Sequence, residues 1–63
     1  MSLFYVGQTV LVGASGAMGA PSGRYKIISA MPLTHGIVRY RVKGELERFE
    51  RVIEEGLMRA QEL

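Results

Sequence analysis

The 63-residue chain has no cysteine, so neither a disulfide framework nor a thiolate metal site is available to it. A single histidine, His35, cannot supply a metal cluster. No stretch reaches the ~20 apolar residues that a membrane-spanning helix needs. Residues 1–7 lack the positive start and longer apolar core of a secretory signal. No carboxylate occurs before Glu45. These absences lead us to expect a protein of the reducing cytoplasm that uses no metal, no cofactor and no membrane. They also argue against an enzyme, because a chain of this size has almost no interior to spare for a catalytic pocket.

What is present is a strand-like alternation. In residues 37–43 Val38, Tyr40 and Val42 fall on one side and Arg39, Arg41 and Lys43 on the other, as in a strand with one buried and one solvated face. Arg24-Tyr25-Lys26-Ile27 begins a second strand of the same kind, so residues 24–43 hold five cations and no carboxylate. All six glutamates lie at or beyond Glu45, interleaved with three arginines, which leaves residues 45–63 at −3 against +5 for the residues before them.

Length and composition fit one small domain over residues 1–63, close to the lower limit for a self-supporting hydrophobic core. The pattern predicts a first strand over residues 4–12 with a turn at Gly7, then a glycine-rich loop over residues 13–23. A strand over residues 24–31 ends before Pro32, which cannot donate to a ladder. Thr34-His35-Gly36 forms the turn into residues 37–43. Beyond Glu45 two readings compete. Leu46, Phe49, Ile53 and Leu57 recur at helical spacing, and Glu47 with Arg51 and Glu55 with Arg59 form favourable i,i+4 pairs, which predicts an amphipathic helix over residues 45–61 on a three-stranded sheet. The alternative is a strand over residues 47–53, a turn at residues 54–56 and a short last strand at residues 57–58, with Gly56 disfavouring the helix.

Phe4-x-x-Gly7-Gln8-x-Val10, Gly23-x-Tyr25-x-Ile27, Tyr40-Arg41-Val42 and Glu50-Arg51-Val52-Ile53-x-Glu55 occur in that order. The set resembles a family of short, uncharacterised bacterial proteins with an SH3-like small β-barrel. The resemblance covers nearly the whole chain and implies a mainly β fold of about five short antiparallel strands, with residues 47–53 as strand; it implies no substrate or ligand.

Two motifs invite chemistry. Val10-Leu11-Val12-Gly13-Ala14-Ser15-Gly16-Ala17-Met18-Gly19 looks like the start of a dinucleotide site, but Pro21-Ser22-Gly23 stands where the phosphate-binding helix should run, and no later strand carries the ribose-binding acid in time. His35 between Thr34 and Gly36 is a turn residue with no partner at catalytic spacing. The expected function is therefore a non-enzymatic protein-interaction module that binds a peptide or a second copy of itself, with Leu46, Phe49, Ile53 and Leu57 as its candidate contact residues. The alternative is a nucleic-acid-binding adaptor of the KOW or Tudor-like kind using Arg24, Lys26, Arg39, Arg41 and Lys43. Tyr25 and Tyr40 share a face with Ile27, Val38 and Val42 and are read as core rather than as stacking platforms. The value of the cationic face depends on whether Glu47, Glu50 and Glu54 pair with it.

Overall fold

The computed structural model describes residues 3–13 and 21–61. Five strands occur in it: β1 (Thr9–Val12), β2 (Gly23–Ala30), β3 (Arg39–Gly44), β4 (Glu50–Glu54) and β5 (Met58–Ala60). A 3₁₀ turn, Glu55–Leu57, joins the last two. All pairings are antiparallel, and the strands form one sheet in the order β4-β3-β2-β1-β5.

Period-2 patterning decides which side is buried. Val10 and Val12 of β1, Tyr25 and Ile27 of β2, Tyr40 and Val42 of β3, Ile53 of β4 and Met58 of β5 point inward and make the core, with Phe4, Val38 and Leu57 packed against it. The intervening positions on β2, β3 and β4 carry the charges and form the outer face. The alternation expected for residues 37–43 is present, and Tyr25 and Tyr40 are core residues as expected. Thr34 and Ile37 pair as an isolated bridge around His35 and Gly36, both at positive φ, 53° and 75°. That is the requirement of a two-residue type I′ hairpin turn, so His35 acts here as a turn residue.

Three expectations need correction. The first strand is short: Gly7, at φ 90°, turns the chain, and regular pairing begins only at Thr9. No helix forms over residues 45–61; the 3₁₀ turn of three residues is the only helical segment among the described residues there. Cross-strand pairing outweighs the helical spacing, because Tyr40 meets Ile53 and Val42 meets Arg51 in the β3–β4 ladder.

The third correction concerns the barrel. The resemblance to an SH3-like barrel family implies a closed sheet, and the sheet is open: β4 and β5 are its two edges, and no ladder joins them. Laid flat, four strand spacings would separate these edges by about 19 Å, while four residue steps reach at most about 14 Å. The short link therefore forces the sheet to curl. Between the two edges the 3₁₀ turn is tied on both sides, Met58 N–H donating to the Glu55 carbonyl within the turn and Glu55 N–H to the Val38 carbonyl at 2.8 Å. β5, three residues long, pairs only with β1.

The expected glycine-rich loop falls largely on residues 14–20, outside the described residues. Among the described residues no helix is long and apolar enough to cross a membrane.

Candidate functional site

Register across the outer face decides what the cations can do. Thr9 of β1 lies opposite Lys26 of β2, Lys26 opposite Lys43 of β3, and Lys43 opposite Glu50 of β4, forming one row across four strands. Arg41 pairs with Ser29 on one side and Val52 on the other, and Arg39 lies opposite Glu54. The five cations expected on one face are therefore brought together on neighbouring strands.

They are not equally free. Arg24 forms an ion pair with Glu45 at 3.6 Å, and Arg41 forms one with Glu50 at 3.4 Å. Both pairs are solvent-exposed, and pairs of that kind contribute only about 0–1 kcal/mol each. Lys26, Lys43 and Arg39 make no ion pair with any carboxylate among the described residues. Glu47, expected as a competitor for the patch, is committed elsewhere. Arg51 Nε donates to both of its oxygens at 2.9 Å and Nη2 donates to Oε2 at 2.7 Å. The Glu47–Arg51 pair predicted from helical spacing thus forms without a helix, across the loop between β3 and β4, where the Arg51 guanidinium also stacks 4.8 Å over the Phe49 ring.

The four apolar candidates are divided. Leu46 is 98% exposed and Phe49 55% exposed, whereas Ile53 is buried at 4% and Leu57 packs on the core. Helical spacing put them in one stripe; in the fold Leu46 and Phe49 lie in the exposed β3–β4 connection, Ile53 points inward from β4, and Leu57 packs on the core from the 3₁₀ turn. Strand geometry also exposes Val52 on the outer face of β4, at 52%, a residue the helical stripe did not contain. Beyond these side chains the outer edge of β4 has no backbone ladder among the described residues.

A polar network that sequence patterning did not reveal holds the ends together. The Tyr40 hydroxyl donates to Glu55 Oε2 at 2.5 Å and accepts from Phe4 N–H at 3.2 Å, and Leu3 N–H donates to the same carboxylate oxygen at 2.9 Å. The Tyr40 hydroxyl, then the Leu3 amide, hold the Glu55 carboxyl below the usual glutamate range. Arg51 does the same for Glu47. Burial raises the Tyr25 phenol, whose hydroxyl donates to the Pro21 carbonyl at 2.6 Å.

Both depressed carboxylates make stability depend on acid. A glutamate whose folded-state pKa lies below its unfolded value stabilises the fold above the unfolded value and loses that contribution as pH falls through the folded one. The melting temperature should hold from neutrality down to about pH 5 and then fall steadily below the ordinary glutamate value of ~4.3. In Glu55→Gln the wild-type advantage at neutral pH should shrink progressively as pH falls below the ordinary glutamate value. A constant offset at every pH would refute this linkage.

Among the described residues no group of three or more histidine and acidic side chains is placed to hold a metal ion. Comparison with known proteins adds no constraint: no protein-family model matches the chain, and no curated protein or solved structure is significantly similar to it.

Proposed function

We propose that this chain is a non-enzymatic interaction module of the reducing cytoplasm that takes an extended peptide segment onto the free edge of β4. The observation that carries the proposal is that edge itself. Its outer side has no ladder among the described residues, Val52 and Phe49 stand exposed along it, and Leu46 projects from the loop just before it. Strand addition supplies main-chain hydrogen bonds, while alternate side chains supply specificity.

The chemistry of the occupant follows from the outer face of β4, which reads Glu50, Val52, Glu54. β3 already meets this row with Lys43, Arg41 and Arg39. A second antiparallel strand on the other side fits best with a cation opposite each glutamate and a small apolar residue opposite Val52. Self-pairing fits badly: two β4 strands crossing antiparallel at Val52 would set Glu50 against Glu54 twice, and like charges directly opposite destabilise. The preferred partner is therefore a peptide of another chain with alternating cation, apolar and cation.

A fluorescent Lys-Thr-Val-Thr-Arg peptide should bind the protein saturably, and its Glu-Thr-Val-Thr-Glu counterpart should not. The double variant Glu50→Lys, Glu54→Lys should weaken the cationic peptide about tenfold, corresponding to ~1.4 kcal/mol over two reversed pairs. Equal binding of both peptides, or none at millimolar protein, would refute the edge assignment.

A second reading, a nucleic-acid adaptor on the cationic sheet face, is supported by one specific observation. Lys26, Lys43 and Arg39 remain without a described carboxylate partner, while Arg24 and Arg41 are partly neutralised. The two tyrosines on the cation-bearing strands, Tyr25 and Tyr40, are buried and offer no stacking surface; the exposed aromatics, Tyr5 and Phe49, lie outside those strands. This reading therefore rests on phosphate contacts rather than on base stacking.

A further inference from the structure

Lys26 and Lys43 are directly opposite each other in the β2–β3 ladder and both are exposed on the outer face. Cross-strand partners have their Cβ atoms about 4.5–5.5 Å apart, and like charges in that position destabilise a sheet. Most cations around them have a local answer. Arg24 has Glu45, Arg41 has Glu50 and Arg51 has Glu47. Glu50, which faces Lys43 in the ladder, and Glu45 and Glu47, which border the same groove, are thus each engaged by an arginine. The lysines, which could have shared them, have no ion pair among the described residues.

The two side chains border a shallow groove of about 560 Å³, with Thr9, Gly44, Glu45 and Glu47 among its other walls. Thr9 stands opposite Lys26 in the same row and lines the same groove, so it adds a hydroxyl donor to the wall that carries the two lysines. Two lysines act on an oxyanion as point charges that can converge from different directions, without the planar geometry that an arginine demands.

We propose that Lys26 and Lys43, with Thr9 beside them, bind a phosphate group. The pair is a fixed repulsion that a bound dianion relieves, so the ligand stabilises the folded chain by mass action. The site lies on β1, β2 and β3, and meets the β4 edge only at Glu50, opposite Lys43. It shares residues with the nucleic-acid reading but does not require a polynucleotide; the phosphate can belong to a small phosphorylated molecule or to a nucleic-acid backbone.

The test is a titration of the full chain, followed through its backbone amide resonances, with inorganic pyrophosphate at constant ionic strength and, separately, with a short single-stranded oligonucleotide. Pyrophosphate should give saturable shifts at Thr9, Lys26 and Lys43. Lys26→Gln and Lys43→Gln should each weaken it at least about fivefold, while Arg59→Gln leaves it unchanged. Lys26→Gln should also melt above wild type without ligand, because the repulsion is gone, and Lys43→Gln, which gives up the facing Glu50 as well, should melt close to wild type, which shows that both fold. Absent saturation, or binding that persists in both lysine variants, overturns the site. Oligonucleotide binding that falls steeply with salt and requires both lysines assigns the phosphate to a nucleic-acid backbone. Oligonucleotide binding that ignores both lysines overturns the site and leaves the second reading to Arg24, Arg39 and Arg41. Pyrophosphate binding without oligonucleotide binding keeps the site and removes that reading.

Discussion

Tyr40→Ala should remove most of the chain's stability and bring its unfolding transition down toward room temperature. Tyr40 is fully buried in the middle of the sheet, flanked by Ala30 on β2 and Ile53 on β4, and its ring meets Phe4 edge-on with centroids 5.6 Å apart. Truncating a buried aromatic to alanine typically costs about 3–5 kcal/mol, through lost transfer energy and the cavity left behind. At roughly 0.05–0.15 kcal/mol per residue, a domain this small has about 3–9 kcal/mol in all. Loss of amide dispersion and of near-ultraviolet dichroism would report the unfolding; a wild-type melting curve would refute the central role given to this ring. Tyr40→Phe separates the hydroxyl from the ring. It keeps the core filled but leaves Glu55 and the Phe4 amide without their shared partner, at about 1–2 kcal/mol, or roughly 4–15 °C in melting temperature. It should also speed hydrogen exchange at Leu3 and Phe4, since the Tyr40–Glu55 link is what holds that segment against the 3₁₀ turn.

The features of this fold that could be read in the sequence are those encoded by neighbours in the chain. Alternation in residues 37–43 places Tyr40 inward and Arg41 outward, and His35-Gly36 specifies a hairpin turn, because both signals depend on two to seven consecutive residues. Residues 45–61 were ambiguous for a physical reason. Glu47 and Arg51 satisfy the helical i,i+4 rule, yet the same two side chains meet equally well across a loop, so the pair does not report the backbone conformation. Openness of the sheet was out of reach, because it depends on whether β4 and β5 pair, a contact no local pattern describes. The irregular register of β2 is of the same kind. Ile27 faces Val42 and Ser29 faces Arg41, so Ile28 is an extra residue whose bulge only the partner strand reveals.

The candidate sites divide along the same line. Sequence placed the five cations on one face correctly, since strand period fixes the side each one takes. It could not say which would be neutralised, because Lys26 opposite Lys43 and Arg41 beside Glu50 are consequences of register. Val52 was missed for the complementary reason: helical spacing selected Leu46, Phe49, Ile53 and Leu57, and a period of two selects Val52 for the surface and Ile53 for the core.

Gly44→Val should be the second most damaging single change, at about 3 kcal/mol, with Gly44→Ala at about 1 kcal/mol or somewhat more. Gly44 is buried at the end of β3, directly opposite Tyr25, and its backbone conformation is not what demands glycine. Space demands it. A Cβ there would lie 3.1 Å from Tyr25 Cε2 and 3.1 Å from Glu47 Oε1, so one neighbour must move. Neither moves freely: the Tyr25 ring is buried and its hydroxyl is tied to the Pro21 carbonyl, while three hydrogen bonds hold Glu47 to Arg51. The alanine methyl forces a shift of a few tenths of an ångström; the branched valine adds atoms to a wall with no slack. If the carboxylate is the side that gives way, Glu47→Ala should recover part of the loss in the Gly44→Ala background, so that the two substitutions combine to less than their sum. If the buried ring is what resists, the losses add. A Gly44→Ala variant melting at or above wild type would mean that the wall between Tyr25 and Glu47 yields without cost, and the argument from close approach would fail with it.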